Sequence, residues 1–566
     1  MTPELTDDTR RTGRVAGPVA RERERDLAVL RARWYDEGLY TTATVGDTVR
    51  DAGRRFTDTR FIFASEQSRD VLTFPDVLAR ARRAALGLRR LGVRPGDTVA
   101  VQVPNRPELV VSYFAVWLVG AVLVPVTHIY GAAEVSLILR SSRARVLIMP
   151  DAWRSIDFVD RLERMDAGPC LEKVVVIGER VPQGAVSWSE LVAEDGPLPP
   201  VTGVTSDDVC TVIYTSGTTG TPKGVQHTHN SFLYELRKGE LLNEARPDDR
   251  RLIPWPAGHV AGLLAVCCGL PRGMDVVLMD RWDAALAVDL IDEFGCTLTS
   301  GTPLHVSALI RAAHERGRDV SALRFVQVGA ANVPPSLVAD ADAAGITVAR
   351  AYGSTEHPRC ATSPLDAGPR QRAGTDGLPR FGDEVRIVDE RMRPLPVGKE
   401  GEILTRGPSQ FSGYRDALHD EKAFVTGGWF RSGDIGRLDK DGHLTVTDRM
   451  KDIIIRGGEN IASKEVEDIL VTHPRVRHAA VVAEPDPKYG EHVAAFVVLD
   501  GGTLDPDEVR ELFARHGVAP QKVPERIEVV ADLPRAPSGK VRKFELRDRL
   551  RGGADLRPDE SGAADG

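Results

Sequence analysis

Short runs of consecutive apolar residues alternate along most of the chain with longer stretches in which apolar positions recur every third or fourth residue. The turn Arg94-Pro95-Gly96-Asp97 introduces one such run at 98–103, and others occupy 146–149, 174–177, 276–279 and 325–328. Helical spacing separates several of them, as at 284–294 and 304–316. Bounded apolar runs read as strands, and strand–helix alternation implies parallel sheets covered by helices. Between Glu384 and about Leu404 the spacing shortens to strand–turn–strand, which predicts a small β subdomain. Past 448–451 the texture changes: 453–455, 479–483 and 493–499 read as strands, and 464–471 and 507–516 as helices, enough for a compact second domain.

The expected fold is therefore α/β, a large domain of helix-covered sheets with a β subdomain, followed by a small mobile α+β domain. The boundaries expected are a flexible tail at 1–20, the large domain at 21–447, a hinge at 448–451, the small domain at 452–551 and a disordered Gly-, Asp- and Ala-rich tail at 552–566. The uncharged stretch 109–126 approaches the length of a spanning helix. Gly120 and Pro125 interrupt it, so a buried helix running into a buried strand is expected instead.

Composition narrows the field. With 566 residues, 42% hydrophobic and 28% charged, the chain can bury a large core. A net charge of −8 offers no basic surplus to make nucleic-acid binding a main role. The six cysteines show no CxxC and no regular spacing, against a disulfide framework or a zinc site. They fit a reducing compartment. The adjacent Cys267 and Cys268, in an apolar run, read as buried small hydrophobes. The N-terminus lacks the basic and apolar regions of a signal peptide, so a cytoplasmic location is expected. No repeat of solenoid length is present.

Segment 214–225, Tyr-Thr-Ser-Gly-Thr-Thr-Gly-Thr-Pro-Lys-Gly-Val, follows the strand-like 209–213. Gly217, Gly220 and Gly224 let backbone N–H groups approach an anion. The hydroxyls of Thr215, Ser216, Thr218 and Thr219 add donors and Lys223 adds charge. The spacing is not that of a Walker loop, since no Gly-Lys-Ser/Thr ending occurs. The residues by themselves predict a phosphate-binding loop.

This segment resembles the signature loop of the adenylate-forming superfamily of acyl- and aryl-CoA synthetases, peptide-synthetase adenylation domains and luciferases. Further motifs follow in that superfamily's order, so the resemblance covers roughly residues 45–550. Segment 351–356, Ala-Tyr-Gly-Ser-Thr-Glu, is similar to its second nucleotide motif. The resemblance implies adenine contact at Tyr352, beside Gly353, α-phosphate contact at Thr355 and Mg²⁺ at Glu356. Gly329, Ala330 and Ala331 would line the adenine and acyl pockets. Asp434 would take the ribose hydroxyls, as a carboxylate accepting two vicinal donors can, and Arg449 would be the second ribose contact. Lys451 occupies the hinge position, and Gly457 and Gly458 open a loop resembling the pantetheine tunnel of CoA ligases. Lys540 matches the C-terminal catalytic lysine, while Lys543 reads as a surface residue. His259 follows Gly258 where many relatives carry an aromatic residue, and is either a pocket-lining group or a satisfied core histidine. His227 and His229, at i, i+2, do not share a helix face, which argues against metal binding.

The implied chemistry is ATP-dependent formation of an acyl-AMP with release of pyrophosphate, then transfer to CoA, with Mg²⁺ as cofactor. Segment 124–131 resembles ligases of medium-chain, alicyclic and aryl acids. Rival readings hand the adenylate to a carrier protein or amine, or activate nitrite to diazotise an aryl amine. A non-enzyme reading keeps ATP binding alone, and the intact set Lys540, Glu356 and Asp434 argues against it.

Overall fold

The computed structural model describes residues 18–215, 222–241, 246, 248–329, 333–456, 459–516, 520–536 and 539–551. Two eight-stranded sheets form the large domain. Their inner strands, such as Thr98–Val101, Val122–Pro125 and Val146–Pro150, are buried on both faces and run parallel. Both faces of such strands must be apolar, which is why they read as continuous runs rather than alternations. The helices Phe74–Arg90 and Pro107–Leu118 pack in one core with residues of both sheets, among them Phe61, Val99, Val101 and Val276. Leu109 through Leu118 are all buried, so apolarity all round this helix reflects burial between protein layers. Among the described residues no helix is long and apolar enough to cross a membrane.

A five-stranded antiparallel sheet that includes Glu384–Val388, Gly401–Arg406 and Trp429–Leu438 follows, and a second five-stranded sheet carries the C-terminal segment. The latter packs the helices Ser463–Leu470 and Pro506–Arg515 on one apolar cluster and Lys543–Leu550 on another.

Three readings change. Tyr214 and Thr215 complete the strand Val209–Thr215, and Lys223 begins the antiparallel strand Lys223–Thr228, with Thr215 opposite Lys223. The described ends of the phosphate segment thus belong to two paired antiparallel strands, which the Gly- and Thr-rich composition hid. The first helix, Pro18–Asp36, begins inside the expected tail; its charged surface masked an inner stripe of Leu27, Leu30 and Trp34 that packs on Tyr40 and Tyr234. The edge hairpin Arg60–Ala64 and Arg69–Thr73 was not read, because its outer strand is largely polar and half exposed.

Beneath the site lies a fully buried charge network. Lys238, on the helix His229–Leu241, donates to the Arg359 carbonyl at 2.7 Å and to Asp383, with Glu235 Oε2 at 3.7 Å. His357 bridges Asp383 Oδ1 at 3.1 Å and Thr405 Oγ1 at 2.9 Å. Removing one partner of such a network strands the others in low dielectric. Lys238→Met should therefore lower the stability of the large domain by about 3–5 kcal/mol in urea unfolding; a loss under about 1 kcal/mol would show that the network is not integral to the fold.

Candidate active site

The parallel strands Leu298–Gly301, Phe325–Val328 and Thr347–Tyr352 end side by side. Their carboxyl ends, where sheets of this type bind ligands, form one wall of a cavity of about 730 Å³. Thr215, Lys223, His259, Gly329, Tyr352 and Gly353 line it, and so do Thr355, Glu356, Arg449, Lys451 and Lys540. Ser216, Gly217, Thr218, Thr219, Gly220, Ala330, Ala331, Gly457 and Gly458 lie outside the described residues.

Asp434 stands just behind this wall, 6% exposed. Its strand, Trp429–Leu438, pairs with Leu444–Arg449 so that Asp434 faces Arg449. One carboxylate oxygen accepts from the Tyr352 hydroxyl at 2.7 Å and the other from Arg449 Nε at 2.6 Å. Each oxygen has a second lone pair, so the group can still accept hydroxyls from a ligand while its orientation is fixed. Arg449 is thereby the aligner of Asp434. Burial, reinforced by the Asp434 charge, raises the Tyr352 hydroxyl far above its ordinary pKa, so it stays a donor.

Lys540 lies where this cavity meets a second one, of about 890 Å³, between the large domain and the C-terminal sheet. Its loop approaches the large domain closely: a side-chain carbon at Gly539 would sit 3.5 Å from Thr302. Lys540 keeps accessible surface toward the open cavity while protein crowds it from the other sides. That crowding, then the positive charge of Arg449, pulls its ammonium pKa down to about 8. Lys451 is lowered to about 8 by the same two causes. Lys223, Arg449, Lys451 and Lys540 thus converge on one cavity.

Glu356 faces the cavity with Oε1 held by the Tyr414 hydroxyl at 2.7 Å. The Lys223 ammonium lies 5.1 Å above the Tyr414 ring. His227, kept neutral by a burial-lowered pKa of about 4, donates Nε2–H to the Thr355 carbonyl at 2.8 Å and fixes the turn that presents Thr355 and Glu356. His229 accepts from the Val45 N–H at 3.0 Å. Both histidines thus hold backbone. Among the described residues no three His, Cys, Asp or Glu side chains converge as a metal cage. A single carboxylate beside a phosphate pocket is what Mg²⁺ uses, since it is usually held by one or two carboxylates plus substrate phosphates. Glu356 fits that role.

At the other end, His259 caps the helix Val260–Cys267 and lines the cavity beside Trp255. Its ring lies 3.5 Å from Thr127 Oγ1 and edge-on to Tyr130 at 6.3 Å. Burial lowers it to about 4, so it is a neutral wall group at neutral pH. The unusual Gly258 has a steric cause: a β-carbon there would lie 2.5 Å from the backbone N and Cα of Thr127. The two segments touch backbone to backbone, and an aromatic side chain has no space. Farther in, the buried Glu235 accepts from Arg359 Nε, and Gln327 offers an amide nitrogen with no hydrogen-bond partner among the described residues.

Lys543 is corrected from surface to interior: its ammonium donates to Ser463 Oγ at 2.7 Å and pairs with Glu467 at 2.7 Å. Tyr414 and the Glu235–Arg359 pair escaped the sequence reading. A Glu and a Lys three apart, following the apolar run Phe232-Leu233-Tyr234, was the one signal of the buried ions.

A family model described as AMP-binding enzyme matches residues 49–415, and one described as AMP-binding enzyme C-terminal domain matches 465–540. A medium-chain fatty-acid–CoA ligase of Escherichia coli (strain K12) is 34% identical, covering 95% of this chain and 97% of that protein. A feruloyl-CoA synthase of Amycolatopsis is 36% identical, with 85% and 94% covered. Among solved structures, the anthranilate CoA ligase AuaEII in complex with anthranoyl-AMP matches with a TM-score of 0.81 at 26% identity, over 90% of this chain and 98% of that one.

The crowding of Lys540 can be read directly. Trace acetylation of the folded protein across a pH series, followed by mass spectrometry, should give Lys540 a reactivity midpoint near 8, against about 10.4 for ordinary lysines. A midpoint above about 10 would show that neither crowding nor Arg449 disfavours the Lys540 charge.

Proposed function

The chain belongs to the AMP-binding enzyme family, and we propose that it activates a carboxylic acid as acyl-AMP and passes the acyl group to the thiol of CoA. The convergence of Lys223, Thr355, Glu356, Arg449 and Lys540 on one cavity that extends inward past His259 and Trp255 carries this reading. A carboxylate oxygen of the acid attacks the α-phosphorus of ATP, the bond to the bridging oxygen breaks, and pyrophosphate leaves. Two anions approach in this step, so cationic groups fixed in advance supply most of the stabilisation. Lys540 neutralises the carboxylate and α-phosphate, Thr355 contacts the α-phosphate, and Lys223 holds the outer phosphates. Mg²⁺ held by Glu356 would neutralise charge on the phosphate oxygens. Asp434, set by Tyr352 and Arg449, accepts the ribose hydroxyls.

For the second half-reaction the small domain turns about Lys451, removing Lys540 and bringing the segment around Gly457 and Gly458 to the acyl carbonyl. The thiol sulfur attacks that carbonyl and AMP departs. The domain 452–551 acts as the moving lid and 21–447 as its base. The names of relatives such as the fatty-acid ligase and the feruloyl-CoA synthase support CoA as acceptor. Six free cysteines fit work in the cytoplasm, where ATP and CoA are available.

The inner wall also bears on the acid. A long alkyl chain would end against the Glu235–Arg359 pair and the Gln327 amide, whereas a compact acid with a polar far substituent satisfies them. Trp255, fixed by an indole N–H bond to Ser300 Oγ at 3.0 Å, lines the same cavity.

Pyrophosphate release over a panel of acids, with and without CoA, tests the reading. Hydroxy- or amino-substituted aryl acids should exceed dodecanoate in kcat/KM by about tenfold or more, and thioester should form only with CoA present. Lys540→Ala should abolish adenylate formation while sparing thioester formation from preformed acyl-AMP; loss of neither half refutes the assignment. In the wild type, kcat/KM for MgATP should fall as pH rises through about 8, because the free enzyme then loses the Lys540 charge. A profile flat to pH 9.5 would contradict it.

A further inference from the structure

Glu356 is held by a chain of contacts that begins outside the segment matched by the family models. Its Oε1 accepts from Tyr414 Oη at 2.7 Å. The Tyr414 backbone N–H in turn donates to Asp420 Oδ1 at 2.8 Å. Asp420 Oδ2 is paired with Arg23 Nη1 at 2.6 Å, and Arg23 also donates to the Ser412 carbonyl and lies 4.4 Å over the Phe424 ring. Arg23 belongs to the helix Pro18–Asp36, before the first matched residue, 49. That helix is fastened at a second point, where Asp26 Oδ2 accepts from the Gly427 N–H at 2.6 Å.

The path is buried and tight. Tyr414 is 5% and Asp420 7% exposed. Gly413, at φ +139°, permits the approach: a β-carbon there would sit 2.3 Å from Arg23 Nη2 and 2.8 Å from Asp420 Oδ2. Burial raises the Asp420 carboxyl pKa and the Arg23 charge opposes that rise, so the ion pair keeps the carboxylate able to accept the Tyr414 N–H. Tyr414 also stands under Lys223 and pairs with Val225 on the hairpin strand. One aromatic residue therefore fixes both the carboxylate and the ammonium proposed to face the phosphates.

We propose that Tyr414, Asp420 and Arg23 are positioning residues for Glu356, through which the N-terminal helix sets the affinity of the site for a divalent cation bound with nucleotide. This rests on the reading of Glu356 as the metal carboxylate. Hydrogen-bonded partners of metal ligands typically govern affinity by about 10–100-fold. Tyr414→Phe removes one hydroxyl, Arg23→Met removes the pair at the far end, and Arg23→Lys keeps its charge.

The test is Mn²⁺ titration of the full chain with a non-hydrolysable ATP analogue, followed by electron paramagnetic resonance, with Glu356→Gln as reference. Expected is a loss of Mn²⁺ affinity of about tenfold in Y414F and a smaller loss in R23M, with partial recovery in R23K. The Mg²⁺ concentration for half-maximal pyrophosphate release should rise in parallel, while KM for the acid stays put. If E356Q weakens Mn²⁺ binding but Y414F and R23M bind within twofold of wild type, the relay is wrong, however much activity they lose. If E356Q itself binds Mn²⁺ normally, the reading of Glu356 fails and the relay with it.

Discussion

The buried Asp434 carboxylate ties together pieces of chain that otherwise have separate supports. Tyr352 closes a strand of an eight-stranded sheet, Asp434 sits in the five-stranded sheet, and Arg449 is among the last residues before the small domain. Two bonds of 2.7 and 2.6 Å to one carboxylate bring them to a common point. Hydrogen bonds to a charged group contribute about 1.5–3 kcal/mol each, and losing one partner leaves the others buried and unpaired. The cavity wall, the subdomain and the segment leading into the small domain therefore cannot shift independently of one another.

The same geometry bears on the proposed motion of the small domain. Lys223, Arg449, Lys451 and Lys540 share a cavity, and the last two already have ammonium pKa values near 8 from crowding and from Arg449. A depressed lysine pKa is itself a statement that the charged form is disfavoured there. A triphosphate relieves that repulsion. Departure of pyrophosphate restores part of it, and Lys540, on the proposed mobile element, is the cation able to leave. Binding energy and domain alternation are then two aspects of one charge balance.

Much of this was legible in the chain. Consecutive apolar runs identified the parallel strands because burial on both faces leaves no alternative composition, and helices such as Ala284–Phe294 matched their spacing to the residue. At the candidate site, Lys223 was singled out by the composition of its loop and Gly353 and Glu356 by motif resemblance, and the structure brings all three to one cavity. It was not legible where function passes through contacts of long sequence separation. Tyr414 touches Glu356 across 58 positions and Arg23 reaches Asp420 across 397. Nothing local to either residue reports such a partner. Lys543 was misread for a related reason: a lysine in a turn looks solvated until Glu467 and Ser463 are known to face it.

The proposed hinge divides its own contacts in a way that constrains the swing. Arg547 pairs with Asp452 and lies 3.2 Å from the Lys451 carbonyl, so these groups stay together on the small-domain side of the pivot. Other bonds span the pivot: Asp448 accepts from Ser463 N–H at 2.5 Å and Oγ at 3.1 Å, and Lys464 donates to the Val446 carbonyl at 2.6 Å. A turn about Lys451 large enough to withdraw Lys540 must break or re-form these bonds, each worth about 0.5–3 kcal/mol net. Because Asp448 is nine-tenths buried, it cannot be left without donors. The second orientation must either supply new partners to Asp448 or expose it to water. Each such exchange is worth at most a few kcal/mol, the range over which substrate binding can select between two domain orientations.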